Sequence, residues 1–294
     1  LYENILSNKK VIAVYGTHGK TTETSMIAHT LINNNFDPNY LIAGIPKKLE
    51  KSWNISNDEV FVIEADEYDT CYFDKRPKFF HYRPNTLLIN NIEFDHADIY
   101  ENIEMIEKNF FELIKTMPLK SKVLINEKKV SKSFRNKLKK EKLKTTLQFL
   151  SLNASNISEE NKLLAAHAIE DLISKEKVLN GLKDYTGVKR RFETIFNDKN
   201  FKLIDDFAHH PTAIEETIKM IREQTDNLTL IVELGSNSMK RGVHDKRLVD
   251  IFKNYETYTI NASAEQEKIF SAHAKELTSD DICLLYTSPS PRDE

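Results

Sequence analysis

The chain has few of the features that define several large classes of protein. It contains only two cysteines, Cys71 and Cys283, too few for a disulfide framework or a cysteine-rich metal site. No apolar run approaches the about 20 residues that a membrane-spanning helix needs. The sequence begins with Leu1 and shows no signal peptide. These absences favour a protein of a reducing cytoplasm with no membrane partner.

Excess positive charge is also absent. The 42 Lys and Arg residues are balanced by 45 Asp and Glu residues, which leaves a net charge of −3. Nucleic acid is therefore not an expected partner. The basic run at residues 128–144 is a candidate phosphate-binding patch, but the solvated face of a helix is the favoured interpretation because the run lies away from the other motifs.

Strand-like apolar runs alternate with helical segments, a pattern typical of an α/β fold with a mostly parallel sheet. Strands of the first part are predicted at residues 10–15, 60–64, 86–90, 122–125 and 146–150. Helices are predicted over residues 21–33 and 99–117 and from Ser158 onward. Asp98 with Glu101 is the expected capping pair of the second helix.

A break near residues 181–188 predicts two domains, at residues 1–185 and 186–285, the second smaller and Rossmann-like. The second is expected to begin a new strand–helix alternation, with strands at 201–205, 228–234, 257–260 and 282–285 and helices at 212–224 and 244–255. Residues 286–294 are polar and rich in Pro and Ser. We expect a disordered or non-native tail there, with the natural C-terminus missing.

The most informative motif is Gly-Thr-His-Gly-Lys-Thr-Thr at residues 16–22, between an apolar strand and an amphipathic helix. Such a turn directs backbone N–H groups and a helix N-terminus at one point, which suits a phosphate group. Lys20 would reach the terminal phosphates and the Thr21 hydroxyl would bind Mg²⁺. An ordinary strand–helix turn that needs glycine is the alternative.

Two further clusters follow predicted strands, where α/β sheets bind ligands. Four carboxylates lie within residues 64–69, and Glu64, nearest the strand, is the candidate metal ligand; an acidic solvent loop is the alternative. The segment 90–98 contains His96 between two aspartates. An imidazole ligand is unusual for Mg²⁺, so composition leaves Mg²⁺ and Mn²⁺ both open.

The second domain carries Arg-Arg-Phe-Glu at residues 190–193 and Asp-Asp-Phe-Ala-His-His-Pro-Thr at residues 205–212. The pair His209 and His210 could bind a metal. The segment could equally form a helix cap in which an aspartate accepts N–H groups of the helix, with Pro211 at the first position of that helix.

These motifs, in this order, resemble those of the Mur ligases of peptidoglycan synthesis up to about residue 260. Within the family, residues 73–76, 81–84, 94–98 and 236–244 are most similar to the murein-peptide ligases. The resemblance implies a P-loop central ATPase domain followed by a smaller α/β domain. It also implies that an N-terminal UDP-binding domain is missing from this chain, which we therefore expect to be inactive alone.

The resemblance assigns roles residue by residue. Lys20, Glu64 and His96 would be catalytic, and Thr21, Glu64 and His96 would bind metal. The nucleotide-contacting residues would be Gly16, Thr17, His18, Gly19, Lys20, Thr21, Thr22, Asn161, Arg191 and Asp206. The implied cofactors are ATP and Mg²⁺.

The implied reaction is ATP-dependent amide formation between UDP-N-acetylmuramate and the recycled tripeptide L-alanyl-γ-D-glutamyl-meso-diaminopimelate, by a monomer. Two alternatives stay open: the sibling ligase that adds L-alanine, and a non-catalytic nucleotide-binding fragment. A regulatory GTPase is disfavoured because the chain lacks the Asn/Thr-Lys-x-Asp guanine motif.

Overall fold

The computed structural model describes residues 2–49, 51–199 and 202–276. The chain divides into two compact units, Leu1–Phe207 and Ala208–Glu294. Within the described ranges, no helix combines the length and apolar character needed to cross a membrane.

The strands of the first unit are β1 Lys10–Tyr15, β2 Asn39–Leu41, β3 Trp53–Asn54, β4 Val60–Glu64, β5 Asp69–Cys71, β6 Asp74–Pro77, β7 Thr86–Ile89, β8 Lys122–Asn126 and β9 Thr146–Leu150. Seven of them form a sheet with strand order β3-β2-β4-β1-β7-β8-β9. All neighbouring pairs in this sheet are parallel except β2 and β3 at one edge. A separate hairpin is formed by β5 and β6.

Helices cover both faces of this sheet, which explains the continuous apolar runs of its strands. In β1, Val11, Ala13 and Tyr15 face one core cluster, while Ile12 and Val14 face the other. The helices are α1 Lys20–Asn33, α2 Ile103–Thr116, α3 Lys132–Lys140, α4 Ile157–Ala168 and α5 Lys175–Gly181. The first cluster includes residues of α2 and α3, and the second includes residues of α1, α4 and α5.

Short helical turns complete the unit. A π-helical turn spans Tyr2–Leu6, and 3₁₀ turns span Lys78–His81, Glu127–Lys129 and Leu182–Asp184. The central part of the basic run forms α3, which buries Phe134 and Leu138 and leaves its lysines toward solvent or over aromatic rings. The interpretation as a solvated helix face therefore agrees with the fold.

The predicted capping pair of α2 is wrong. Asn102, rather than Asp98, precedes the helix, and its side chain accepts a hydrogen bond from Met105 N (3.1 Å). The backbone N–H groups of Ile99 and Tyr100 instead donate to His96 O in a tight turn. This turn uses the residues expected to open the helix, so α2 begins at Ile103.

The structural division lies later than the predicted boundary at residue 185. Lys189 N donates to Ile45 O (2.9 Å), and Lys47 forms an ion pair with Glu193 (3.0 Å). The strands β10 Glu193–Asn197 and β11 Lys202–Asp205 then pair antiparallel with each other. The predicted strand at 201–205 is thus half of a hairpin in the first unit rather than the start of the second sheet.

The elements of the second unit are α6 Pro211–Arg222, β12 Thr229–Glu233, α7 Asn237–Lys240, α8 Asp245–Phe252, β13 Glu256–Ile260, α9 Ala264–Phe270 and β14 Lys275–Glu276. Its three strands form a parallel sheet in the order β12-β13-β14. Its core includes Leu230 and Val232 of the sheet packed with Ile214, Leu248 and Phe252 of the helices. The predicted strand at 282–285 and the tail at 286–294 lie outside the described residues.

Candidate functional site

The loop between β1 and α1 has a shape that depends on its two glycines. Gly19 precedes α1 with φ of 88°, in the left-handed region that favours glycine. A Cβ atom at Gly16 would lie 2.6 Å from His18 O, closer than real contacts allow. The first N–H groups of α1 have no partner within the helix, so this loop presents them at the carboxyl end of β1.

The segment that follows β7 holds the loop in place. The Asn91 side chain bonds both peptide groups of His18: Oδ1 accepts from His18 N (3.2 Å) and Nδ2 donates to His18 O (2.9 Å). Thr17 Oγ1 accepts from Glu93 N (2.9 Å), and His18 Nε2 lies 3.0 Å from Glu93 Oε1. The loop is therefore fixed to the neighbouring strand by side-chain contacts.

Lys20, the first residue of α1, lies opposite a cluster of carboxylates. Its Nζ is 3.3 Å from Oε2 of Glu67, whose side chain is 1% exposed. Burial alone would lower the pKa of Lys20, but the charges of Glu67, Asp66 and Glu64 raise that pKa above its ordinary value. The lysine is thus a cation held at the mouth of the loop.

Thr21 contacts two charged groups from distant parts of the chain. Its Oγ1 donates to Glu64 Oε2 (3.0 Å) and accepts from Arg191 Nη2 (3.3 Å). Glu64 Oε1 accepts from Ala43 N (2.7 Å). Burial raises the pKa of Glu64, and the Ala43 N–H, Lys20 and Arg191 partly oppose this shift.

Arg191 packs on the ring of Phe207, 5.0 Å from its centroid, and Nη1 donates to the Phe207 carbonyl (3.5 Å). Burial lowers the pKa of Arg191, and the negative charges of Asp206 and Glu64 counteract that effect. Arg191 therefore interacts with the charges of two carboxylates of the first unit, Asp206 and Glu64.

His96 adopts a left-handed backbone conformation, with φ of 55°, and its side chain is mostly buried. Its Nε2 lies 2.8 Å from Glu67 Oε1, and the Tyr68 ring packs edge-on against it at 4.4 Å. Burial would lower the pKa of His96, but Glu67 and Asp95 raise it. Glu67 thus bridges Lys20 and His96.

Two positive partners also act on Glu67 itself. Burial favours the neutral acid, yet Lys20 and His96 lower the pKa of Glu67 to about 2. The carboxylate is ionised at neutral pH and is enclosed by the two side chains that it joins.

Asn161 lies in α4 beside Gly19, where it accepts a hydrogen bond from Asn90. Asn90 Nδ2 donates to Asn161 Oδ1 (3.3 Å) and to Glu23 Oε1 (2.5 Å). Glu23 is fully buried in α1, and this burial raises its pKa well above the ordinary value. A polar network therefore runs from α1 through β7 to α4.

The donor set fits Mg²⁺ and a polyphosphate. Thr21 and Glu64 supply hydroxyl and carboxylate oxygens 3.0 Å apart, and oxygen donors are what Mg²⁺ prefers. No group of three or more His, Cys, Asp and Glu side chains is arranged for a metal in the described parts of the chain.

The structure brings together most of the residues expected to act at this site. The loop and the start of α1 are formed by Gly16, Thr17, His18, Gly19, Lys20, Thr21 and Thr22. Around them lie Glu64, Arg191 and Asn161. His96 forms an ion pair with Glu67, a residue outside the predicted metal-binding set. Its role as a metal ligand stays a prediction.

Sequence reasoning missed the importance of Glu67, Asn90 and Asn91. Each stood in a polar cluster at the carboxyl end of a predicted strand, which was the available signal. The pattern could not indicate which member of a cluster turns inward. Glu67 lies beyond the last residue of β4, so the alternation of side chains between the two faces of that strand does not predict the direction of the Glu67 side chain.

In the second unit, α6 begins with a helix cap, but the capping side chain is that of His210 and not the expected aspartate. His210 Nδ1 accepts from Thr212 N (3.3 Å), and Pro211 is the first residue of α6. The loop after β12 leads into α7, where Ser236 Oγ accepts from Met239 N (3.3 Å). Lys240 and Arg241 are exposed there.

Comparison with known families agrees with this arrangement. A family model described as the Mur ligase middle domain matches residues 14–177, more than half of the 294 residues. The chain belongs to the Mur ligase family. A second model, described as the Mur ligase glutamate ligase domain, matches residues 190–281.

Individual Mur ligases support the assignment. The UDP-N-acetylmuramate–L-alanyl-γ-D-glutamyl-meso-2,6-diaminoheptandioate ligase of Haemophilus influenzae is 33% identical over 83% of this chain and 61% of its own length. A UDP-N-acetylmuramate–L-alanine ligase of Buchnera aphidicola is 31% identical over 79% of this chain and 55% of its own length. A murein peptide ligase structure from Psychrobacter arcticus matches with TM-score 0.71 and 28% identity, covering 96% of this chain and 72% of that one.

The chain spans 61% of the Haemophilus relative, which is less than two thirds of its length. The fold is that of the central and C-terminal parts of Mur ligases, an α/β architecture with a mostly parallel sheet and a second α/β unit.

Proposed function

We propose that this chain is the nucleotide-binding part of an ATP-dependent ligase that joins UDP-N-acetylmuramate to the tripeptide L-alanyl-γ-D-glutamyl-meso-diaminopimelate. The observation that carries the proposal is the constrained loop at 16–22, with Lys20 at its mouth and Thr21 bonded to Glu64. The relative at 33% identity bears the name of that reaction.

The proposed reaction has two steps. A carboxylate oxygen of the muramyl substrate attacks the γ-phosphorus of ATP, and the bond from that phosphorus to the bridging oxygen breaks to release ADP. The peptide amine then attacks the acyl carbon, phosphate leaves, and the amine loses a proton. Each step needs positioning and charge stabilisation more than it needs a protein nucleophile.

The residues of this chain suit those needs. Lys20 and the first N–H groups of α1 would stabilise negative charge on the transferring phosphoryl group. Glu67 would hold Lys20 and His96 on one side of the site, because it forms an ion pair with each of them. Arg191, supported by Phe207, would keep Thr21 oriented toward Glu64.

Thr21 and Glu64 would hold Mg²⁺, and His96 is proposed as the ligand of a second metal. When bound, the metal would neutralise phosphate charge and orient the transferring group. Gly16, Thr17, His18, Gly19 and Thr22 would line the phosphates, while Asn161, Arg191 and Asp206 would contact the rest of the nucleotide.

The amine substrate is proposed from the second unit. Lys240 and Arg241 lie after the carboxyl end of β12, where parallel sheets present ligands. Two cations suit a tripeptide with several carboxylates better than they suit L-alanine, which has one. Addition of L-alanine is the second candidate, because relatives of that name are 31% identical.

A reconstitution assay with the full-length protein tests the proposal. ADP release should require UDP-N-acetylmuramate, and amide formation should require the tripeptide in addition. Turnover with L-alanine instead would assign the chain to the second candidate, whereas nucleotide binding without turnover would indicate a non-catalytic protein. Cytoplasmic localisation and a monomeric state stay predictions.

A further inference from the structure

A buried carboxyl group of α1 is unexplained by the proposed reaction. Glu23 is 0% exposed and lies one turn beyond the glycine loop. Its Oε1 accepts a 2.5 Å hydrogen bond from Asn90 Nδ2. A carboxyl group is costly to bury unless a specific partner uses it, so this contact invites a functional explanation.

Asn90 links this carboxyl group to the nucleotide site. Its Nδ2 group donates to Glu23 Oε1 and to Asn161 Oδ1 (3.3 Å), and its Oδ1 accepts from Asn126 Nδ2 (3.4 Å). With both of its polar atoms bonded, the Asn90 amide has one favourable orientation. That orientation directs an N–H group at the oxygen of Asn161.

This contact determines which atom of the Asn161 side-chain amide is available to a ligand. Because Oδ1 of Asn161 faces Asn90, Nδ2 is the atom left to contact a ligand. Among the hydrogen bonds of the described residues, none uses Asn161 Nδ2, although the residue is only 6% exposed. A Cβ atom at Gly19 would lie 3.8 Å from this nitrogen and 3.5 Å from Oδ1, which places the Asn161 amide beside the loop.

We infer that Glu23 is a positioning residue that acts through Asn90 to fix the Asn161 side chain with its N–H₂ group toward the nucleotide. Asn161 would then select an acceptor atom, such as a ring nitrogen or oxygen, on the ligand next to Gly19. The inference rests on the proposed nucleotide function of this site. Neutral Gln would preserve the acceptor that Asn90 needs, whereas Ala would remove it.

The first measurement needs no nucleotide. In ¹⁵N spectra of the complete chain, the side-chain N–H₂ signals of Asn90 and Asn161 should shift in Glu23→Ala and stay near their original positions in Glu23→Gln. Unchanged Asn161 signals in folded Glu23→Ala would overturn the inference. If Glu23→Ala fails to fold, displacement of the Asn161 signals in folded Glu23→Gln would overturn it.

The second measurement is Mg-ATP affinity by calorimetry, with Glu23→Ala and Asn161→Ala combined in a double-mutant cycle. Glu23→Ala should weaken binding about fivefold to tenfold, the effect of one hydrogen bond, and Glu23→Gln should restore it. In the Asn161→Ala background, Glu23→Ala should have little further effect. Equal losses in both backgrounds would show a purely structural role and overturn the inference.

The two measurements separate the inference from the proposed function. If the Asn161 signals respond as expected but the parent chain binds no Mg-ATP, then the positioning of Asn161 is supported and the nucleotide function fails. If Mg-ATP binds but the Asn161 signals and the cycle show no coupling to Glu23, then the positioning role fails while the nucleotide function stands.

Discussion

Nζ of Lys20 lies 3.3 Å from Oε2 of Glu67, so the lysine that faces the glycine loop is paired with a buried carboxylate. The other oxygen of that carboxylate lies 2.8 Å from His96 Nε2. One side chain therefore orients two of the three residues proposed to be catalytic. An incoming phosphate group would meet a cation that is already in place.

The first prediction concerns this bridge and its pH dependence. The pKa of Glu67 is lowered to about 2 from 4.5, so the ionised group stabilises the folded state above about pH 4.5. That stabilisation is lost as the pH falls through this range toward 2. Glu67→Gln should reduce the free energy of unfolding by about 3 kcal/mol at pH 7 and by much less near pH 2.

Urea unfolding at several pH values measures this difference. Glu59→Gln, at an exposed position, is the matched control and should change little at any pH. If Glu67→Gln lowers the free energy of unfolding by the same amount at pH 7 and near pH 2, then the stabilisation does not come from the ionised form of Glu67.

The second prediction concerns the catalytic residues in the full-length protein. Lys20→Ala, Glu64→Ala and His96→Ala should each lower kcat by about 10²-fold or more, because each removes a group that stabilises or positions transferring charge. Steady-state ADP release at saturating Mg²⁺ measures the effect. Lys177→Ala, at an exposed position of α5, is the control. Near-normal turnover in any of the three would remove that residue from the proposed mechanism.

The third prediction uses two glycines in different conformations. Gly19→Ala places a side chain at φ of 88° with its Cβ 3.0 Å from Asn90 Nδ2, and should destabilise the chain by about 1–2 kcal/mol. Mg-ATP binding should weaken as well, because the loop must change shape. Calorimetry and thermal unfolding measure the two effects.

Gly181→Ala is the matched substitution for that test. Gly181 has φ of −63°, and its Cβ would meet nothing within 4 Å. The same change should therefore stabilise the chain by about 0.4–1 kcal/mol and leave nucleotide binding intact. Similar behaviour of the two variants would mean that the shape of the loop is not what Gly19 provides.

The fourth prediction concerns the amine substrate. In the full-length protein, kcat/KM for the tripeptide should exceed that for L-alanine by orders of magnitude. The double substitution Lys240→Ala with Arg241→Ala should reduce the ratio of the two kcat/KM values. Competition between the two substrates measures this ratio. Lys246→Ala, an exposed cation of α8, is the control. A preference for L-alanine in the parent enzyme would support the sibling activity.

Much of the fold could be predicted because its central strands are buried on both faces. Apolar runs such as Val11–Val14 can satisfy only such an environment, and β1 and β4 lie where the pattern placed them. The hairpin of β5 and β6 was not predicted, since its Asp, Lys and Arg residues lack the apolar alternation of a strand. Its pairing depends on contacts that local composition does not encode.

The glycine loop was evident in the sequence because its spacing is local. The partners of the loop were harder to predict, since Asn91 and Glu67 reach it across tens of residues. The start of α2 was missed for a related reason. The positive φ of His96 allows a tight turn, and the residues expected to begin the helix lie in that turn instead. In each case a tertiary contact overrides the local preference.

The two hydrogen bonds between the Asn91 side chain and the His18 backbone have a consequence for the rate of nucleotide binding. Because one side-chain amide bonds both peptide groups of His18, the loop has its shape before any nucleotide arrives. Encounter with ATP then needs no slow ordering of the loop, so association should follow simple collision kinetics, linear in ATP concentration. Differences in affinity among variants of this loop should accordingly appear in how long the nucleotide stays bound.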